Sequence, residues 1–326
     1  MILTTRIHLP VIFAALVLTP QPFGGSAAAQ PAPNIKLLVP TSPGSDADAS
    51  ARVIAERFQA ATGQTLLIDN RVGAGGSIAA TALAAAPANG ETVGFQGKSY
   101  LLFKEEFPSL KIDPARDLAP VALIGRSATV LAVSAQSKFQ DVKDLIEFGR
   151  ANSGKLTFAS AGQGSTTFWS AQKLLTAANV SALHVPFKGS PEIVSELLSQ
   201  RADFGYLPAQ VAAPQITAGK LKALGVSGAR RSAKFPQVPT TIESGIPDSD
   251  YESWLIALVP AKTPTATQER LNRQFNELLK SPETQAQLGK LGHGTDPMPL
   301  AQLQAFVERE SLKSLEMARS MRAQRN

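Results

Sequence analysis

The sequence predicts an α/β protein made of two lobes. Short apolar runs alternate with helical patterns from residue 36 to residue 228, the signature of sheets flanked by helices. The alternation then gives way to a helical C-terminal third holding a single apolar run, too strand-poor to form a further α/β domain. That tail is expected to pack back on the first lobe.

Strands are expected at 36–40, 65–69, 92–96, 121–124, 129–134, 156–160, 183–187, 203–206, 222–227 and 254–259, and the alternation argues for parallel pairing. Helices are expected between them at 46–62, 77–86, 141–151, 165–178, 190–200 and 208–218. The helical tail reads as 264–280 after Pro264, 282–291 after Pro282, and 299–321. Asp141, Ser165 and Ser190 stand at N-cap positions, and Ser45 or Asp46 caps the first helix. On this reading one lobe comprises 30–126 and 229–326, the other 127–228, and the chain crosses between them near 126–134 and 222–232.

Residues 1–29 read as an export signal. Arg6 supplies the positive n-region, Val11 to Leu18 the apolar h-region, and Ala27-Ala28-Ala29 a small-residue cleavage site, with the cut expected after Ala29. No later segment approaches the apolar length of a membrane span. The chain has no cysteine, which removes disulfides, thiolate metal sites, cysteine nucleophiles and a lipid on a cysteine after the signal. Soluble export without that lipid anchor predicts a periplasmic location. The formal charge of +6 is scattered, with Arg230-Arg231 the one tight pair outside the tail, so it favours encounter with anions over nucleic-acid binding.

Residues 36–52 carry the strongest local signal. An apolar strand, Leu37 to Val39, stops at Pro40; a loop with Pro43 and Gly44 follows, and a helix opens near Asp46. Such a terminus offers unpaired N–H groups and the positive end of the helix dipole to an anion, although a plain capped strand–helix connection has the same spelling. Further along stand Asn70-Arg-Val-Gly-Ala-Gly-Gly-Ser-Ile78, Pro87-Ala-Asn-Gly-Glu-Thr92, Ser160-Ala-Gly-Gln-Gly-Ser165, Val185-Pro-Phe-Lys-Gly189 and Pro236-Gln-Val-Pro-Thr-Thr-Ile-Glu-Ser-Gly245. In this order and at these separations they resemble the substrate-binding proteins of tripartite tricarboxylate transporters, the Bug-type receptors. The resemblance covers almost the whole chain after the signal. It implies a periplasmic binding protein fold, two α/β lobes joined by two hinge crossings with a ligand cleft between them, and capture of a small carboxylate for membrane permease subunits. It implies no cofactor.

The resemblance also assigns residues. The family pattern of Pro, two Gly, two variable residues, Asp, two variable residues, Ala and Arg is met by Pro43, Gly44, Asp48, Ala51 and Arg52, with Ser45 in place of the second Gly. It implies ligand contact along Ser42, Gly44, Ser45 and Asp46, and a structural role for Asp48 and Arg52, which stand one helical turn apart. In the family the loop at Ser160, Gly162, Gly164 and Ser165 helps hold a carboxylate through backbone amides and hydroxyls. Phe168 stands where a histidine is common. Lys188 and Gly189 form a third strand–helix junction, with Lys188 either a ligand contact or a surface lysine. Ser99 and Tyr100 follow a first-lobe strand and are further cleft candidates; Tyr206 fits either the cleft or a core. Phe168, Trp169 and Tyr100 together lean the expected ligand towards an aromatic or partly apolar carboxylate.

Other chemistries find little footing. Gly97-Lys98-Ser99 looks like the end of a P-loop, but Thr92 stands where that motif needs glycine. Gly73-Ala-Gly-Gly76 misses the dinucleotide fingerprint because residue 78 is Ile. There is no Gly-x-Ser-x-Gly elbow, and His184 lies in an apolar strand. The expectation is therefore a monomeric binding protein with no metal, no nucleic acid and no enzymatic activity. A receptor for a two-component sensor kinase, or a secreted hydrolase or isomerase using the cleft, are the alternatives.

Overall fold

The computed structural model describes residues 34–323 except residue 233, with the side chains of 321–323 left aside. The export signal read at 1–29 lies outside the described residues. The strands are β1 (Ile35–Val39), β2 (Leu66–Asn70), β3 (Thr92–Gly97), β4 (Leu118–Ser127), β5 (Thr129–Ser134), β6 (Leu156–Ser160), β7 (Ala182–Pro186), β8 (Phe204–Pro208), β9 (Leu221–Val226) and β10 (Ser253–Pro260). The helices are α1 (Asp46–Thr62), α2 (Ser77–Ala84), α3 (Phe103–Glu106), α4 (Pro114–Asp117), α5 (Val142–Ala151), α6 (Thr166–Ala177), α7 (Ser190–Leu198), α8 (Ala209–Thr217), α9 (Thr265–Lys280), α10 (Pro282–Lys290) and α11 (Leu300–Ala323). The two one-turn helices α3 and α4, and 3₁₀ turns at Ala74–Gly76 and Lys98–Leu102, are too short for periodicity to reveal.

The strands form two five-stranded sheets, β2-β1-β3-β10-β4 and β7-β6-β8-β5-β9. The expectation of parallel pairing holds for β1, β2 and β3 and for β6, β7 and β8. It fails at β10, antiparallel to β3 and β4, and at β5, antiparallel to β8 and β9. Each of these strands enters its sheet from the other sheet. It therefore has no helical crossover from a neighbour, the connection that makes consecutive strands parallel.

Each sheet is covered on both faces, so its strands are apolar throughout. In the first sheet Leu37 and Val39 point to the side of Phe58 and Phe275, from α1 and α9, while Leu38 points to the side of Leu83 and Leu303, from α2 and α11. In the second, Leu131 and Val133 face Phe168 and Leu174 of α6, and Val130 and Ala132 face Ile193 and Ala212 of α7 and α8.

The two sheet crossings run side by side. Thr129 N–H and Oγ1 donate to Ser227 Oγ (3.1 and 2.9 Å), Ser227 Oγ donates to the Tyr251 carbonyl (3.0 Å), and Tyr251 N–H returns to the Ser227 carbonyl (2.6 Å). All three residues are buried. Residues 238–251, read from sequence with the first lobe, hydrogen-bond to the second sheet through Thr241 N–H on the Val226 carbonyl. Helix α11 has 24 residues, about 36 Å long. Its Leu303 and Phe306 join the first sheet's core, and Leu315 and Ala318 the second's.

Candidate functional site

A cavity of about 90 Å³ lies between the two sheets. From the first sheet come Thr41, Ser45 and Asp46 after β1, Gln96 and Ser99 around the end of β3, and Ser253 to Leu255 at the start of β10. From the second come Ser165 to Thr167 after β6, Ser190 after β7, and Pro208 after β8, with Ser127 and Thr129 at the crossing. These positions follow from the topology, because the parallel strands of each sheet turn their C-terminal ends, and the helices that follow, to the same opening.

Three helices, α1, α6 and α7, therefore bring their first turns to one cavity, and Pro208, the N-cap of α8, stands beside them. Their first-turn N–H groups lack helical acceptors, and the dipoles add positive potential. No lysine or arginine lines the wall among the described residues. At α6 the Ser165 hydroxyl accepts from Phe168 N–H (3.2 Å), capping the helix, and lies 3.1 Å from Thr167 Oγ1. Ser45 occupies the N-cap position of α1 in extended conformation, but its hydroxyl makes no capping bond and sits 3.4 Å from Ser42 Oγ. At α7 the cap is Gly189, which makes Ser190 the first helical residue, not the cap expected from sequence.

Loops of the two lobes touch around the cavity. Gly75, at φ 64°, leaves no room for a side chain: a Cβ there would overlap the Gln163 carbonyl and lie 2.8 Å from Ser165 N. A Cβ on Gly189 would overlap Ser42 Oγ and come within 2.6 Å of Ser45 Oγ. Gln163 Nε2 donates to Glu106 (2.5 Å).

Of the residues singled out from sequence, Ser45, Asp46, Ser99 and Ser165 are on the cavity wall. Ser42 and Gly189 meet beside Ser45, off the wall, and Gly162 packs on Gly75. Gly44 and Lys188 are exposed, and Gly164 packs against Phe107. Tyr100, Phe168 and Trp169 are buried in the cores rather than on the wall, which removes the basis for favouring an aromatic ligand. Tyr206 is also a core residue. Trp254 borders the cavity while its ring packs in the core against Tyr100 and Phe306; sequence reading missed it because an apolar strand gives no sign of which residue reaches its open end. Thr166, Thr167 and Ser190 were missed for a similar reason, since a hydroxyl in a capping stretch looks the same whether it faces a cavity or backbone.

Asp48 organises the first loop from beneath. Its carboxylate accepts from Gly44 N–H (3.0 Å), Arg52 Nε (2.9 Å) and Nη2 (3.1 Å), and Asn70 Nδ2 (3.1 Å). Burial pushes this carboxyl up, but those bonds outweigh it and hold it below the ordinary range. Asn70 also donates to the Thr41 carbonyl (2.9 Å), tying β2 to the same loop. Ser160 and His184 form a serine–histidine pair, with Oγ 2.6 Å from Nε2. Ser160 is fully buried and off the wall, and burial pushes the His184 imidazole down to about 4. The pair braces the β6–α6 loop: Ser160 Oγ lies 3.2 Å from the Gly162 carbonyl and accepts from Gly162 N–H (3.1 Å).

Residues 50–321 match the model of the tripartite tricarboxylate transporter family receptor. A protein from the tcbD-tcbE intergenic region of Pseudomonas sp. strain P51 is 35% identical over 263 residues, covering 80% of this chain and 78% of its own. Among solved structures, the periplasmic binding protein BugD superposes with a TM-score of 0.83 at 25% identity, covering 90% of this chain and 98% of its own. MatC of Rhodopseudomonas palustris with bound malate gives 0.83 at 27%, covering 89% and 100%. The R. palustris protein Rpa4515 with adipate gives 0.84 at 29%, covering 89% and 98%. The fold is that of the periplasmic binding proteins, and among the described residues no helix is long and apolar enough to cross a membrane. The chain belongs to the tripartite tricarboxylate transporter receptor family, a family of substrate-binding receptors.

Proposed function

We propose that this protein captures a small organic carboxylate in the cavity between its sheets and delivers it to the membrane subunits of a tripartite permease. On this reading it is exported by residues 1–29, cleaved after Ala29, and works as a periplasmic monomer. One observation carries the proposal: three helix N-termini and a ring of hydroxyls converge on a cavity between the sheets whose wall has no basic side chain among the described residues. This arrangement binds an anion through fixed dipoles rather than counter-ions.

Size supports a compact acid. The cavity measures about 90 Å³. That is the scale of a short-chain carboxylate. Each hydrogen bond to a charged group contributes about 1.5–3 kcal/mol. Three or four of them, less desolvation and ordering, fit micromolar affinity, about −8 kcal/mol. Malate and adipate, held by two structural neighbours, are carboxylates of this kind.

Ser165 is the residue to test. Ser165→Ala removes a hydroxyl from the wall and costs about 1 kcal/mol as a helix cap, too little to unfold the chain. Calorimetry of the folded variant should show at least tenfold weaker carboxylate binding; unchanged affinity removes Ser165 from the site. Capture of permease subunits by the loaded protein, against capture of a sensor kinase, tests the partner.

A further inference from the structure

Asp46 is the one charged side chain on the cavity wall among the described residues. It opens α1, and its side chain is 21% exposed. One oxygen, Oδ1, accepts from two protein donors. His293 Nε2 reaches it at 2.8 Å from the segment after α10, and Gln210 Nε2 reaches it from α8 on the second sheet. The His293 side chain is 1% exposed. Burial pushes its imidazole down, and the adjoining Asp46 carboxylate outweighs this and raises it. Both donors use Oδ1, so Oδ2 has no protein donor among the described residues.

The rest of the polar wall is chemically permissive. Hydroxyls of Thr41, Ser45, Ser99 and Thr166 donate or accept as needed. A carboxylate only accepts. The ligand group that meets Asp46 must therefore bring a proton. A second carboxylate there would face a like charge with no donor between them, a desolvated arrangement that disfavours both.

We infer that Asp46 is the specificity-determining residue of this site, selecting a carboxylate that bears a hydroxyl or ammonium donor over the same acid without one. The inference rests on the carboxylate-receptor reading above. Succinate, malate and aspartate share one four-carbon skeleton and differ only in carrying no donor, a hydroxyl or an ammonium.

The test is calorimetry of these three acids on wild-type protein, unfolded and refolded to free it of carried ligand, and on Asp46→Asn. The asparagine keeps an oxygen acceptor for His293 and Gln210 while removing the charge. Wild type should bind malate or aspartate at least tenfold tighter than succinate, and the tighter of the two identifies the donor. Asp46→Asn should bring that ratio below threefold, chiefly by improving succinate; a merely structural Asp46 would weaken all three acids equally. Equal affinity of wild type for all three, or an unchanged ratio in the variant, overturns the assignment. If Asp46→Asn fails to fold, Asp46→Ser removes the carboxylate in its place: a ratio below threefold supports the role and an unchanged ratio overturns it. Binding of no carboxylate by refolded wild type removes the receptor reading, and this assignment with it.

Discussion

Gly75 and Gln163 meet backbone to backbone across the two lobes, so closely that a Cβ on Gly75 would overlap the Gln163 carbonyl oxygen. The contact joins the loop after β2 to the loop that caps α6, and Gly75 and Ser165 both line the cavity. On the receptor reading, closure around a ligand would need a residue without a side chain here. Gly75→Ala should weaken carboxylate binding at least tenfold. Strain at φ 64° adds about 1–3 kcal/mol to the cost of the conformation seen here. Titration calorimetry reads the affinity, and small-angle scattering with ligand should show a more open particle than wild type. Unaltered affinity would mean that the loops separate without consequence.

Asp48 and Arg52 form a pair with unequal stakes. The Asp48 side chain is 2% exposed and the Arg52 side chain 59%. Asp48→Ala strands Gly44 N–H and Asn70 and loosens the loop between β1 and α1, at a cost of about 2–3 kcal/mol. Arg52→Ala removes one solvent-facing partner and costs about 0.2–1 kcal/mol. Urea unfolding of both variants checks the asymmetry; equal losses would show that the ion pair, not the loop network, carries the stability.

Acidification should act through His184. Its native pKa of about 4 lies below the ordinary 6.5, so the unfolded chain takes up its proton first as pH falls. The native state loses stability from about pH 6.5 down to 4 and gains nothing from this group above that window. His184→Gln keeps an acceptor for the Ser160 hydroxyl and has no proton to bind. Melting temperatures from pH 7.5 to 4.5 should fall less steeply in the variant; parallel curves would show that His184 titrates normally in the folded protein.

Much of the fold was legible because its elements have strong periods and clear punctuation. Among the described residues, all ten strands and nine helices of eight residues or more stand within a few residues of the positions read from sequence. Asp141 and Ser165 cap α5 and α6 through their side chains, as their spelling suggests. The antiparallel β5 and β10 were not legible, because direction depends on which sheet a strand arrives from, and Ala128, the one residue between β4 and β5, gives no sign of a change of sheet. The site was legible as loops but not as side chains. Ser45 and Tyr100 were equal candidates by position, yet one lines the cavity and the other packs against Trp254 in the core.

A thermal-shift screen of residues 30–326, denatured and refolded to free them of carried ligand, against short-chain carboxylates and neutral analogues tests the central claim most directly. A ligand at a hundredfold excess over its dissociation constant adds about 2.7 kcal/mol of stability. The receptor account predicts a clear rise in melting temperature for one or a few carboxylates and none for the matching amides or alcohols. Equal stabilisation by the neutral analogues, or no rise with any carboxylate, would contradict it.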